Sequence, residues 1–434
     1  MLRHDRRKPI GEELLGRFLL EAEEDRARKE RLFEAYLGKS TPDKGMIAEG
    51  RPNNHAYTNF AKYITDTATG YFAGAAPRYV FDDETEAGLF RKIFDENDES
   101  SLNYSLAESM SICGTAYDIV FLDEEAKIRI EMLDPREITP IYGEELGQGM
   151  IAAAREFLRY ENGSWKRKGE LYTEKERIFF DNDGGRLRFT GKENNILGML
   201  PITEYENNLF KMGDFEACME NIGLYNLLLS NASDDLQSIA NAYLAISGML
   251  GTTKEDIERM NETRIALLTE DGKMEFITKD LDASAIENQK MSLRRDILQV
   301  AGIPDLSDER FYSGLSGAAM EYRLWALDQL RAKKQAGMDK GLFARLKKLA
   351  AMLNLRFANI SSIEKRTSII YTRNMPKDEG MIAETAGKLQ DLVSKKTILH
   401  MVEPLTKVSA EDEEKRISEE KQSADCAAKS DATM

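Results

Sequence analysis

The sequence predicts an α+β fold that is mainly helical. Three observations carry that reading. Apolar residues recur near helical spacing in the first stretch, with Leu14, Leu15, Phe18, Leu19, Leu32, Phe33 and Tyr36 forming one side. Between about Thr115 and Tyr205 the pattern switches to alternation broken by turn signals. A seven-residue apolar repeat and a second, longer helical pattern follow.

Taken in order, Gly11 to Tyr36 reads as the first helix, and Gly38 as its C-cap. Gly38-Lys39-Ser40-Thr41 also matches the end of a phosphate-binding P-loop. That pattern, G-x-x-x-x-G-K-[ST], requires a glycine where this chain has Phe33, with a strand in front and a helix behind. Here a helix precedes the string, and Pro42 and Gly45 follow it, so nucleotide binding is not expected. Phe60, Tyr63, Ile64 and Thr67 share the face of a second helix. Gly70 and the turn from Gly74 to Pro77 lead to a short strand at Arg78–Phe81. "EAGLFRKIFDENDES" and "LNYSLAESMSICG" predict two more helices.

The β region begins with "AYDIVFL" and "KIRIEML", a hairpin around Asp123-Glu124-Glu125-Ala126. Two further hairpins turn at Asn162-Gly163 and at Asp183-Gly184-Gly185. Together they predict one small, mostly antiparallel sheet. Helix then returns at Gly213, with Asp214 as N-cap. Phe215, Ile222, Leu229, Leu236 and Tyr243, with Cys218, Tyr225, Ala232 and Ile239 between them, make an apolar seam. A short α/β insertion spans roughly Ala245 to Asp280 and holds the helix "TKEDIERMNET" and the strands "RIALLT" and "KMEFIT". The next helix, Ala283 to Val300, places Ile286, Leu293, Ile297 and Val300 on one side. "GIPDLSDERFYSGLSG" breaks all periodicity and reads as a loop. Ala318 to about Ala358 is one long helical pattern. Its middle, "RAKKQAG", has no apolar face, and Gly337 is expected to mark a bend. "TSIIYTRNMP" reads as a strand, followed by short helices with Ser394 as a cap, an acidic helix from Ser409, and a disordered tail.

Composition limits the function. The 434 residues suffice for two or three domains. Apolar runs such as "AYLAISGML" fall short of a membrane span, so no membrane partner is expected. Neither an export signal nor a disulfide framework is expected. Sixty Lys and Arg against 76 Asp and Glu give a formal charge of −16, which disfavours tight nonspecific binding of nucleic acid. It is compatible with a protein past which DNA slides, where weak attraction is an advantage. Only His4, His55 and His400 are present, with no zinc-site spacing. Gly314-Leu315-Ser316-Gly317 is not a G-x-S-x-G elbow. Carboxylates such as those in "EDEEKR" sit at helix-surface spacing. No enzyme activity, cofactor or metal is expected.

Several segments, in their order and spacing, resemble portal proteins of tailed bacteriophages of the SPP1-like type. They are "YLGK" (36–39), "PNNHAYTNFAKYITDTATGYFAG" (52–74), "SICGTAYDIVFLDEEAKIRIEMLDPREITPIY" (111–142), "LPITEYENN" with "GDFEACMENIGLYN" (200–226), "SGLSGAAMEYRLWALDQL" (313–330) and "VSKKTILHMVEPL" (393–405). The resemblance covers about residues 30 to 420. The turn Gly74-Ala75-Ala76-Pro77 looks one residue longer than is usual in the family.

The resemblance implies a homo-oligomeric ring of about twelve copies, closed by heterologous contacts, around a channel for double-stranded DNA read without regard to sequence. It implies a wing at 1–212, a first stem helix at 213–241, a clip at 242–281 and a second stem helix at 282–301. A channel loop at 302–317, a long helix and strand returning to the wing at 318–376, a crown at 377–421 and a tail at 422–434 complete the chain. Implied partners are the terminase large subunit, a head–tail connector, and major capsid and scaffold proteins. The implied location is the portal vertex of the virion, with assembly in the host cytoplasm. The expected DNA-facing loop residues are Asp305, Ser307, Asp308, Glu309, Arg310, Phe311 and Tyr312. The acids repel phosphate and Arg310 touches it transiently, while Phe311 and Tyr312 either supply bulk or pack beneath the loop. Lys290, Arg294 and Arg295 form weak positive rings or pair with acids such as Asp234 and Asp235. Lys254, Glu255, Glu258 and Arg259 are the expected clip docking surface. Two alternatives remain: a packaging ATPase or nuclease, and a minor head or scaffold protein with no channel.

Overall fold

In the computed structural model, residues 2–39, 52–161, 163–183, 186–240, 243–247, 253–255, 258–259, 273–277, 282–307, 317–355, 360–372, 379–390, 392–406 and 408–431 are described. Met1–Arg373 and Asn374–Met434 form separate units.

The first helical stretch is two helices, α1 (Glu12–Glu21) and α2 (Glu23–Tyr36). Ala22 between them keeps φ −81° and ψ −11°, so the interruption is one loosened turn. Gly38 caps α2 at φ +72°. Its N–H donates to Ala35 O at 3.1 Å and that of Lys39 to Glu34 O at 2.9 Å, the paired bonds of a Schellman end. Helices α3 (Phe60–Ala73), α4 (Glu84–Glu96) and α5 (Glu99–Cys113) follow, with β2 (Arg78–Phe81) after α3.

The expected single sheet is in fact two. Strands β3 (Thr115–Leu122), β4 (Ile128–Leu133) and β10 (Ile202–Glu206) form an antiparallel sheet in the order β10-β3-β4. Strands β5 (Ile138–Gly143), β6 (Met150–Glu161), β7 (Ser164–Thr173), β8 (Glu176–Asp183) and β9 (Arg186–Asn194) form a second. Its edge is β1 (Arg3–His4), parallel to β5. Alternation explains the stacking. Ala152 and Ala154 of β6 turn toward Leu15, Phe18 and Leu19 of α1. Ala153 and Tyr172 turn toward Tyr117, Ile119 and Ile202 of the three-stranded sheet. That sheet's other face packs Val120, Ile128 and Ile130 against Phe90 of α4 and the long helix.

The long helix, which becomes α8 in chain order, runs unbroken through 38 residues, Gly317–Asn354. The helix continues through Gly337. A Cβ there would lie 1.7 Å from Glu206 O, so this glycine lets the helix touch β10. The apparently faceless "RAKKQAG" has a buried polar face. Lys334 is ion-paired with Asp214 at 2.6 Å and donates to Ser111 Oγ (2.7 Å) and Asn207 Oδ1 (2.8 Å). Its pKa is lowered, burial outweighing the raising effect of Asp214. About three turns further along the helix, Arg345 meets Asp118 at 3.2 Å, Asn103 Oδ1 at 2.7 Å and the Glu99 carboxylate. Lys348 donates to Ile202 O (2.9 Å) and Thr203 Oγ1 (2.6 Å), and burial lowers its pKa to about 8.

Four further expectations change. Asp214 is not an N-cap, because its carboxylate is spent on Lys334 and Asn207. A 3-10 turn at Glu216–Cys218 precedes α6 (Met219–Ala240). Tyr243 lies on a strand, β11 (Tyr243–Ser247), paired antiparallel with β12 (Lys273–Ile277). "RIALLT" lies outside the described residues. β13 (Thr367–Ile370) pairs with β2; Tyr371 and Thr372 follow it outside any strand, and residues 373–376 lie outside the described residues. In the second unit, α9 (Glu379–Leu389), α10 (Lys395–Thr406) and α11 (Ala410–Asp431) follow, Ser394 Oγ accepting from Thr397 N–H at 3.3 Å. Helix α11 carries 422–431, part of the tail expected to be disordered, where Ala, Lys and Gln favour helix. Among the described residues no helix is long and apolar enough to cross a membrane.

Gly337→Ala is expected to cost about 1–3 kcal/mol despite alanine's higher helix propensity, because backbone must move. Gly223→Ala in α6, where nothing lies within 4 Å, is expected to stabilise by about 0.5–1 kcal/mol. Urea titration reads both, and a stabilised Gly337→Ala would remove the close approach from the account. Lys334→Met strands the buried Asp214 carboxylate, and a loss of about 3–5 kcal/mol is expected. Asp214→Asn added to it should restore part of that loss; no measurable loss in the single variant would show the pair to be solvated.

Candidate functional site

The second stem helix of the sequence reading is α7 (Ala283–Ala301). It packs along α6, burying Ile297, Leu298 and Ala301, while Val300 and Met291 point to solvent. The α6 seam is buried at Phe215, Cys218, Ile222 and Tyr225 but not at Leu236, which is exposed. The repeat is therefore satisfied inside one chain over its first half only.

An extended segment before α3 is zipped to α6 by side chains one turn apart. Asn226 Oδ1 accepts from Thr58 N–H (2.8 Å), Ser230 Oγ from Ala56 N–H (3.0 Å) and Asp234 Oδ1 from Asn54 N–H (2.7 Å). The match is metric. Four helical residues rise about 6 Å, and two extended residues advance about 6.6 Å. Phe60, at the start of α3, then meets Tyr225 edge-on at 4.9 Å.

The root of the expected channel loop is built as tightly. Gly302 ends α7 at φ +68°, with its N–H on Gln299 O and that of Ile303 on Leu298 O. Tyr63 of α3 donates its hydroxyl to Pro304 O and accepts from Leu306 N–H, both at 3.1 Å. Asp305 accepts from Arg294 Nη2 (2.7 Å), Ser307 N–H (3.0 Å) and Ser307 Oγ (2.8 Å). Burial alone would raise the Asp305 pKa, but the hydrogen bonds from Arg294 and Ser307 outweigh it and hold the pKa below the usual value.

These contacts sort the expected residues. Arg294, Asp305 and Ser307 come together as one cluster, so the loop acid and the stem cation are partners within the chain. Lys290 pairs with Glu287 at 3.2 Å on its own helix, and Arg295 is exposed. Asp234 belongs to the zipper, and Asp235 beside it is half-buried. Lys254, Glu255, Glu258 and Arg259 are exposed and helical. Asp308, Glu309, Arg310, Phe311 and Tyr312 lie outside the described residues. Sequence reading missed Tyr63 and the Asn226, Ser230, Asp234 row. The polar residues at four-residue spacing were the available signal for the row.

There are cavities of about 550 and 620 Å³, the second lined in part by Lys348. In the first, Lys211 is held by Glu204 (2.6 Å) and Glu206 (3.1 Å), Arg28 by Glu216 (2.8 Å) and Lys29 by Asp25 (2.9 Å). Burial and the Glu204 carboxylate push the Tyr142 hydroxyl far above its ordinary pKa, so it stays protonated. Among the described residues no three His, Cys, Asp or Glu side chains group as a metal site. The Ser40 and Thr41 of the P-loop-like string lie outside the described residues, and Gly38 is a helix cap.

Comparison with known proteins gives three findings. The profile of the family "Phage portal protein, SPP1 Gp6-like" matches residues 17–426. A protein named "Portal protein" from Clostridium phage phiCD119 is 21% identical over 413 residues, covering 86% of this chain and 89% of its own. Among solved structures, a chain in the neck of an empty GTA particle shares 13% identity at a TM-score of 0.48, covering 85% of this chain and 91% of that one.

Asp234→Ala is expected to release the zipper from its far end. Amide exchange should rise most at Asn54 and less at Ala56 and Thr58, which keep Ser230 and Asn226. Equal acceleration at all three would mean that the row is not a set of separate anchors.

Proposed function

The chain belongs to the phage portal protein family of the SPP1 Gp6-like type, and from that premise we propose that it is the ring subunit of a portal vertex. About twelve copies close head to tail around a channel through which double-stranded DNA enters and leaves the capsid. Residues 1–212 and 318–376 form the wing, 213–241 and 282–301 the stem, 242–281 the clip, 302–317 the channel loop and 377–421 the crown. The clip, with Lys254, Glu255, Glu258 and Arg259, is the docking surface for the terminase large subunit and later for the head–tail connector. Capsid and scaffold proteins meet the ring in the virion, after assembly in the host cytoplasm. The observation that carries this reading is the family match over nearly the whole chain. The family is one of structural rather than catalytic proteins.

The electrostatics support sliding. Each chain has a formal charge of −16, and two of the three stem cations are already matched, Lys290 by Glu287 and Arg294 by Asp305. Little fixed positive charge is left there to hold phosphate. The exposed Leu224, Leu236, Met291 and Val300 of the stem helices give each copy apolar surface to bury on its neighbours.

Electron microscopy of the purified protein with mass determination tests the ring. Closed particles of about a dozen subunits around an open channel are expected; only monomers or dimers, also in the presence of scaffold, would overturn it. Deleting residues 308–312, which leaves the Arg294–Asp305 root in place, is expected to give heads that assemble but package DNA poorly.

A further inference from the structure

The turn between β10 and α6 holds two large apolar side chains out in water. Leu209 is 82% exposed and Phe210 80%. Such exposure on a loose loop would mean little, but this turn is pinned. Asn208 Oδ1 accepts from Phe210 N–H and Met212 N–H, both at 3.1 Å, and its Nδ2 donates to Met212 O at 2.7 Å. Lys211 N–H donates to Asn208 O at 3.0 Å. Asn207 Nδ2 donates to Met212 O at 2.8 Å and Arg28 Nη2 to Lys211 O at 3.4 Å. Lys211 itself sits at φ +56°, a left-handed conformation costly for a side chain of its kind. Its ammonium is tied to Glu204 and Glu206. The backbone on either side of Leu209 and Phe210 is thus fixed at a conformational cost, and the two side chains gain nothing from their own chain.

We propose that Leu209 and Phe210 are a preformed knob that docks on a second copy of this chain. This rests on the ring reading above and names a contact within it. Three observations favour a copy over another occupant. A heterologous ring needs a protruding element on one face and a receiving surface on another, in every subunit. A rigid two-residue knob supplies the first with little ordering cost, because its backbone is already held. The next exposed apolar residues along the chain, Met212 and Leu224, carry the same character onto α6, whose outward leucines the ring reading sets between copies. Both residues stand beside the 550 Å³ cavity, which leaves them 82% and 80% exposed. Large aromatic and aliphatic anchors on rigid backbone are the residues that dominate such contacts.

The test is the full-length double variant Leu209→Ser, Phe210→Ser beside the unaltered protein. Thermal unfolding of the dissociated chain is expected to be unchanged, since both side chains are exposed. The protein concentration at which half the chains are in rings, read by mass measurement and microscopy, is expected to rise by about tenfold or more. A photo-crosslinking amino acid at position 210 should give chain-to-chain adducts in rings of otherwise unaltered protein. Rings of undiminished stability from the double variant, or only intrachain crosslinks, would overturn the knob while leaving the ring reading intact. Unaltered protein that never forms rings would instead sink the ring reading, and the knob with it. Normal rings whose heads fail at capsid or tail joining would assign the knob to a different protein and likewise overturn the proposal.

Discussion

Burying three cations along one face of a 38-residue helix obliges the surrounding elements to meet them. Lys334, Arg345 and Lys348 of α8 are at most 7% exposed. A charge taken from water without a partner costs several kcal/mol, so each position constrains what lies opposite. Asp214, just before α6, answers Lys334. Glu99 at the start of α5 and Asp118 in β3 answer Arg345. Lys348 finds neutral oxygens of β10, and burial lowers its pKa to about 8. The helix therefore fixes α5, β3, β10 and the segment before α6 relative to one another. Gly337, where β10 comes too close for any side chain, sets the distance.

That anchored helix begins where the expected channel loop ends, and the loop's other end is anchored separately. Tyr63, Arg294 and the Gly302 cap hold residues 302–307, and the row Asn226, Ser230, Asp234 holds α6 to the segment before α3. Polar side chains share this fastening with the buried Ile222, Tyr225, Ile297 and Leu298. The consequence is that the outer faces of α6 and α7 keep apolar residues exposed while the pair stays attached to the body. A stem element that bound its own body through apolar contacts alone would have less surface left for neighbouring copies.

The same matching of charge closes the cations around the 550 Å³ cavity. A catalytic or ligand-binding pocket keeps a poised group unsatisfied. Here Lys211, Arg28 and Lys29 are each closed by carboxylates. The Asn208 turn is the contrasting case, since its backbone is satisfied and its side chains are not.

Much of this was legible in the sequence. The helix periods, the hairpin turns, the Gly38 cap and the stretch of alternating strands follow from local rules, because each is decided by residues within a turn or two. The family was legible in the order of dispersed segments. What the sequence could not determine was anything decided by a partner far along the chain. The division into two sheets depends on which face of β6 meets α1 and which meets β3. The seam of α6 is buried at Ile222 and Tyr225 and exposed at Leu236, a difference set by what packs on it. "RAKKQAG" looks like a solvated stretch because periodicity counts only apolar residues, and a buried lysine is recognisable only when its aspartate, 120 residues away by number, is placed beside it. Gly337 reads as a bend for the same reason. Its cause is a carbonyl of another element, and tertiary packing alone brings Glu206 there.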